Sequence, residues 1–118
     1  MAIRLKRIYD PASPEDGFRL LIMRLWPRGV KKERVSAWEK ELGPSPGLLR
    51  DFLDKVVDWP AYEKRYLAEM KKKEDLLAPW AEKARGEVIT LLCACKDESR
   101  CHRTLLKRLL EEMPLSKK

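Results

Sequence analysis

The chain has no asparagine and no glutamine at any of its 118 positions, while Asp, Glu, Lys and Arg make up 38% of it. Side-chain amides are thermolabile and ion-pairing side chains are enriched in heat-adapted proteins, so this absence points to a thermophilic source. Part of the charge is then accounted for by stability and says nothing about a partner. Long apolar runs are also missing. No stretch approaches the roughly 20 residues of a membrane span. The opening "AIRLKRIYD" alternates charged with apolar side chains where a secretory signal would carry an apolar block. A cytoplasmic protein with no membrane attachment is the expectation. Cysteine is scarce, and its number, three, is odd. In a reducing compartment such thiols are free, which excludes a disulfide framework.

What is present suits one soluble domain. A length of 118 residues with 44% hydrophobic content can bury a core, so residues 1–118 are read as a single domain with a frayed tail at 114–118. The net charge of +7 is uneven: residues 1–34 carry nine Lys/Arg against four Asp/Glu, and residues 96–118 carry seven against four. If the fold brings the two chain ends together they form one basic face, suited to phosphates, nucleotides or nucleic acid.

The apolar pattern gives an α/β reading with about three main strands and four to five helices. Residues 2–9 alternate at strand period, with Ile3 and Leu5 on one face and Arg4 and Lys6 on the other. Residues 18–26, "FRLLIMRLW", form a nearly continuous apolar run, as does "EVITLLCA" at 87–94; both read as strands buried on two faces. The middle reads as helical over 31–42, 45–57, 60–70 and 73–85, with Ser45 as N-cap, Pro46 at the first helical position and Pro79 as a kink or restart. Tyr62, Tyr66 and Met70 lie four apart, a core stripe. A last helix covers 101–113. The sixty or so helical residues between the second and third strands permit a parallel crossover, whereas the short loop after the first strand would make it antiparallel to the second if the two were neighbours. The layers would be three, helices on both sides of the sheet.

Parallel second and third strands would bring "RLWPRG" (24–29) and "CACKDESRCHR" (93–103) to one carboxyl edge, where open α/β sheets bind ligands. Four chemistries compete for these residues. Cys93, Cys95, Cys101 and His102 are enough for a zinc site, but adjacent Cys101 and His102 on a helix would point about 100° apart, so structural zinc is disfavoured. A phosphatase- or rhodanese-like loop from Cys95 to Arg100 has the length, yet Lys-Asp-Glu-Ser offers no glycine and two carboxylates that repel an anion. An anion grip is coherent: Arg24, Arg28 and Arg103 would hold a phosphate-bearing or other anionic small ligand, with Trp26 as a stacking wall and Cys93 near it. Cys101, at a helix N-terminus, would be the nucleophile or redox thiol and His102 a general acid or base. The fourth reading is plain structure, with Cys93 a small core residue and the arginines paired to carboxylates. A partner from another class, nucleic acid on the basic face without catalysis, stays open beside the anion grip.

"IRLKRIYDPASPEDGFRLLIMRLWPRGVKKE", with the later "LLRDFL", "RYLAEM" and "VITLLCACKDE", resembles the family called domain of unknown function 488, in particular its YeaO-like group. The resemblance runs along nearly the whole chain, and "RLWPRGVKKE" is its most specific piece. It implies a compact, small, cytosolic α/β domain and no particular activity, and it draws attention to Arg24, Trp26, Pro27, Arg28 and Gly29. This sequence departs from the group's pattern at Met23, where an Asp is usual, and at Cys93–Cys95 and Cys101–Arg103, where a "YAAKD…HN" type of segment is usual. "CHR" resembles another branch of the family.

Overall fold

The computed structural model describes residues 2–95 and 100–113. Four strands, β1 (Ile3–Arg7), β2 (Phe18–Leu21), β3 (Ala37–Trp38) and β4 (Ile89–Cys93), form one sheet in the order β1-β4-β2-β3. All three pairings are parallel. Among the described residues four α-helices accompany them: α1 (Pro46–Leu53), α2 (Trp59–Lys71), α3 (Glu74–Gly86) and α4 (His102–Glu112). The α/β reading holds, and β2 and β4 are parallel as expected.

The first strand departs from expectation. It is parallel to β2, because the two are not neighbours: β4 lies between them. The segment 8–17, which holds no α-helix and only the 3₁₀ turn Pro14–Asp16, is itself a crossover. Ten extended residues reach about 33 Å, enough to return the length of a five-residue strand. The segment passes on the side of β4 where Thr90 Oγ1 donates to the Asp16 carbonyl at 2.7 Å. There Asp16 is wholly buried, with Lys6 at 3.1 Å, Arg4 at 3.6 Å and Arg19 closer still, and it accepts from the Ser13 N–H at 3.1 Å. The turn into β2 requires Gly17, whose φ is +61° and whose Cβ, were there one, would stand 2.4 Å from the Val88 carbonyl oxygen.

Side chains alternate across the sheet at the strand period. Ile3, Leu20, Ile89 and Leu91 face one way and form the main core with Tyr66, Met70, Leu77, Ala84, Leu106 and other buried residues of all four helices. Leu21 and Leu92 face the other way, with Ile8, and are covered by Met23, Trp26, Val30 and Val35. The helices therefore gather on one face, and a loop takes the place of the expected third layer. The stripe Tyr62, Tyr66, Met70 is core, as its spacing indicated.

The helix expected over 31–42 is replaced by two short 3₁₀ turns, Lys32–Arg34 and Lys40–Leu42, around β3. The free edge of β2 supplies the competing partners. Ser36 N donates to the Arg19 carbonyl at 2.7 Å, Glu39 N donates to the Leu21 carbonyl at 2.9 Å, and Arg19 N donates to Ser36 Oγ at 2.9 Å. The expected start of α1 is found: Ser45 Oγ accepts from Leu48 N at 3.2 Å with Pro46 next in the chain. Among the described residues no helix is long and apolar enough to cross a membrane. The tail 114–118 lies outside the described residues.

Candidate functional site

β4 is buried along its whole length and ends at Cys93. The chain re-enters the described region at Arg100, and Cys101 is the N-cap of α4 with extended backbone, φ −142° and ψ 147°. That conformation decides the geometry of the thiols. Cys101 is not yet helical, so its side chain turns back toward the strand end rather than following the helix. Cys93 and Cys95 Sγ are 3.5 Å apart, and the three sulfurs all lie within 4.8 Å of one another. On a regular helix Cys101 and His102 would diverge by about 100°, and the extended N-cap backbone of Cys101 is what lets the three sulfurs converge.

Two cationic or imidazole partners approach Cys101. Arg103 is 1% exposed; its Nε donates to Cys101 Sγ at 3.3 Å and its Nη2 donates to the Cys95 carbonyl at 3.0 Å. His102 Nε2 lies 2.7 Å from the Ile22 carbonyl, an acceptor only, so this nitrogen carries the proton and donates. His102 Nδ1 then faces Cys101 Sγ at 3.8 Å. Hydrogen bonds from Cys93 and Cys95 hold the Cys101 thiol far below the ordinary range, outweighing burial. Cys95 is pushed up to about 11, chiefly by its bond to Cys101, and Cys93 is raised by its bonds to Cys101 and Cys95 and by burial. Burial works against the Arg103 charge, and the neighbouring Cys101 more than restores it.

The thiols line a pocket of about 290 Å³, near the lower end for small-ligand sites. Its other walls are mainly apolar: Met23, Leu25, Leu49, Phe52, Leu53 and Tyr62. Arg100 lines it too and is exposed. Leu25 and Leu53 are 65% and 68% exposed, an apolar rim.

Of the residues singled out from sequence, Cys93, Cys101 and His102 meet at this pocket, and Arg24 borders it. The Arg24 guanidinium is committed elsewhere, to Glu41 at 3.0 Å and to the Pro44 carbonyl at 3.0 Å. Arg103 sits behind the thiols and grips a sulfur. Trp26 does not share the cleft. Its indole N–H donates to the Val30 carbonyl at 2.8 Å, and its ring packs edge-on against Trp38 on the opposite face of the sheet. It lines a separate groove with Val30, Lys31, Lys32 and Trp38. Arg28 is exposed, and its carbonyl accepts from the Tyr9 hydroxyl at 2.9 Å. The expected stacking wall is thus replaced by Phe52, Tyr62 and leucines. Tyr62 and Phe52 were legible only as helix-face residues, and Cys95 only as part of a Cys-x-Cys pair. Residues 96–99, on which a phosphatase- or rhodanese-like curl would depend, lie outside the described residues.

Fold and site together define a small α/β domain with a parallel sheet and a thiol cluster at the carboxyl end of the inner strand β4. The chain belongs to the DUF488 family: the group described as the active DUF488-N3 subclade, DUF488-N3a, matches residues 3–114. It is 38% identical over 115 residues to the uncharacterized protein YeaO of Escherichia coli, covering 96% of this chain and 100% of that one. It is 30% identical over 110 residues to the uncharacterized proteins Rv3073c of Mycobacterium tuberculosis and Mb3100c of Mycobacterium bovis, covering 92% of each chain. The YeaO-like resemblance of the motifs is borne out. No solved structure matches the chain.

Proposed function

We propose that the chain binds a small ligand with an apolar body and an electrophilic, anionic head in the pocket at the carboxyl edge of the sheet, and that Cys101 is the nucleophile toward that head. One observation carries the reading: Cys101 Sγ stands between Arg103 Nε at 3.3 Å and His102 Nδ1 at 3.8 Å on the wall of that pocket. A thiolate is the reactive form of cysteine, and a cation with a helix N-terminus stabilises it. The ligand's apolar part would lie against Leu49, Phe52 and Tyr62, and its anionic head would meet Arg100. His102, its tautomer fixed by the Ile22 carbonyl, is placed to take or return a proton at Nδ1. The reading is favoured over a nucleic-acid module because Arg19, Arg24, Arg34 and Arg103 already serve internal carbonyls or sulfur.

Alkylation of the reduced, metal-free chain tests it. Iodoacetate, an anionic electrophile, should label Cys101 first, as mapped by peptide mass spectrometry, and should outpace neutral iodoacetamide. Cys101→Ser should abolish the fast phase, and Arg100→Ala should remove the advantage of the anionic reagent. Labelling that begins at Cys95, or a fast phase that survives in Cys101→Ser, overturns the assignment.

A further inference from the structure

We propose that Cys93, Cys95 and Cys101 form a binding site for one Zn²⁺ ion, with three sulfur ligands and a fourth position open to the pocket. A tetrahedral zinc with Zn–S of about 2.3 Å needs its sulfurs about 3.8 Å apart. Cys93 and Cys95 stand at 3.5 Å, and all three sulfurs lie within 4.8 Å of each other. Shifts of well under 1 Å in the side chains bring the set to that geometry.

The ligands are also anchored well. Cys93 closes a strand buried along its whole length, and Cys101 caps the helix packed on that strand, so two ligands sit on well-anchored elements. Charge decides between thiophilic ions. Three thiolates leave a Zn²⁺ complex at −1, and buried Arg103, 3.3 Å from Cys101 Sγ, brings the sum to zero. A Cu⁺ complex would remain at −1 after the same compensation, and an uncompensated charge in a buried site is costly. The Arg103 N–H to sulfur contact is the outer-partner bond that orients and tunes a metal ligand. Among the described residues no further His, Cys, Asp or Glu joins the three sulfurs. The fourth position therefore belongs to water or a pocket ligand, as in zinc sites with three protein ligands. On binding, the thiol protons that Cys93 and Cys95 share with Cys101 pass to solvent, and three sulfur lone pairs form the Zn–S bonds.

This inference stands on the sulfur geometry and needs no reactive Cys101. Zinc does change that reading's outcome: a loaded ion takes the Cys101 lone pair and blocks alkylation.

The experiment uses the full chain, reduced and stripped of metal, titrated with zinc chloride by calorimetry and native mass spectrometry. One zinc per chain is expected. Cys93→Ser, Cys95→Ser and Cys101→Ser should each weaken binding by more than the roughly 10–100-fold that loss of an outer partner costs. Co²⁺ replaces zinc in a second measurement that needs no variant: sulfur-to-cobalt charge-transfer absorption with tetrahedral visible bands supports the site. No bound zinc, binding that persists in all three serine variants, or cobalt without thiolate charge transfer overturns it. Alkylation of the metal-free chain judges Cys101 as nucleophile separately, so either conclusion can fall while the other stands.

Discussion

Arg103 shows what a single side chain settles here. From sequence it reads as an anion clamp at a helix entrance, because an exposed arginine beside free N–H groups would be one. The structure buries it and spends its fork inward, on Cys101 Sγ and the Cys95 carbonyl. A guanidinium can serve two acceptors at a fixed angle, and a lysine ammonium on a flexible stem cannot hold both. Arg103→Met should therefore destabilise the fold by about 3 kcal/mol, the usual cost of stripping one partner from a buried charge. It should also slow Cys101 alkylation. Arg103→Lys should recover part of the stability and little of the alkylation rate. Urea unfolding and iodoacetate kinetics on the three proteins check this; a Met variant as stable and as reactive as the parent would show that the contact carries nothing. Cys101 was legible as a thiol at a helix entrance. Its meeting with Cys93 and Cys95 was not, because the decisive variable is the backbone of one N-cap residue, which no residue type specifies.

At the scale of elements, patterns that depend on local chemistry were readable and patterns that depend on neighbours were not. The Ser45-Pro46 start of α1 and the Tyr62-Tyr66-Met70 face of α2 follow from capping and period alone. The segment 31–42 has the composition of a helix, yet the open edge of β2 draws Ser36 and Glu39 into sheet hydrogen bonds. Trp26 left the site for a similar reason: its N–H is satisfied within its own loop by Val30. The crossover 8–17 is hard to read from sequence because it holds only the three-residue 3₁₀ turn Pro14–Asp16, and its substitute for a packed helix is the buried Asp16 cluster. Burial raises the Asp16 carboxyl, and the Ser13 N–H with Lys6 and Arg19 outweighs it, lowering the group to about 2 from 3.8. The sign follows: the unfolded chain binds more protons here, so the contribution is complete above about pH 4 and is lost as pH falls through about 2. Asp16→Asn should melt well below the parent at neutral pH, and the gap should narrow between pH 4 and pH 2. Calorimetric scans across that range decide it; a gap independent of pH would mean that the Asp16 charge contributes nothing.

On the scale of the whole molecule, the strand order makes the site and the fold one problem. β4 is an inner strand, pairing β1 on one side and β2 on the other, and it is supplied by residues 89–93, late in the chain. Until it is made, β1 and β2 have no common partner, and the buried faces of α2 and α3 have no Ile89 or Leu91 to pack on. The pairings that define the sheet are thus long-range ones, whose loop-closure cost comes before their reward. The same strand delivers Cys93 to the carboxyl edge, and α4, which follows it, delivers Cys101, His102 and Arg103. A chain ending at residue 86 keeps three of the four strands and three of the four helices, yet it should not fold. Circular dichroism of that fragment should show little strand signal and no cooperative melting, while the full chain melts in one transition. A separate peptide of residues 87–113 should restore cooperativity when added, since it carries the missing strand, the thiols and α4. Cooperative unfolding of the shorter fragment alone would mean that β1, β2 and the helices form a core without β4, and that the thiol edge is an appendage to the fold rather than its centre.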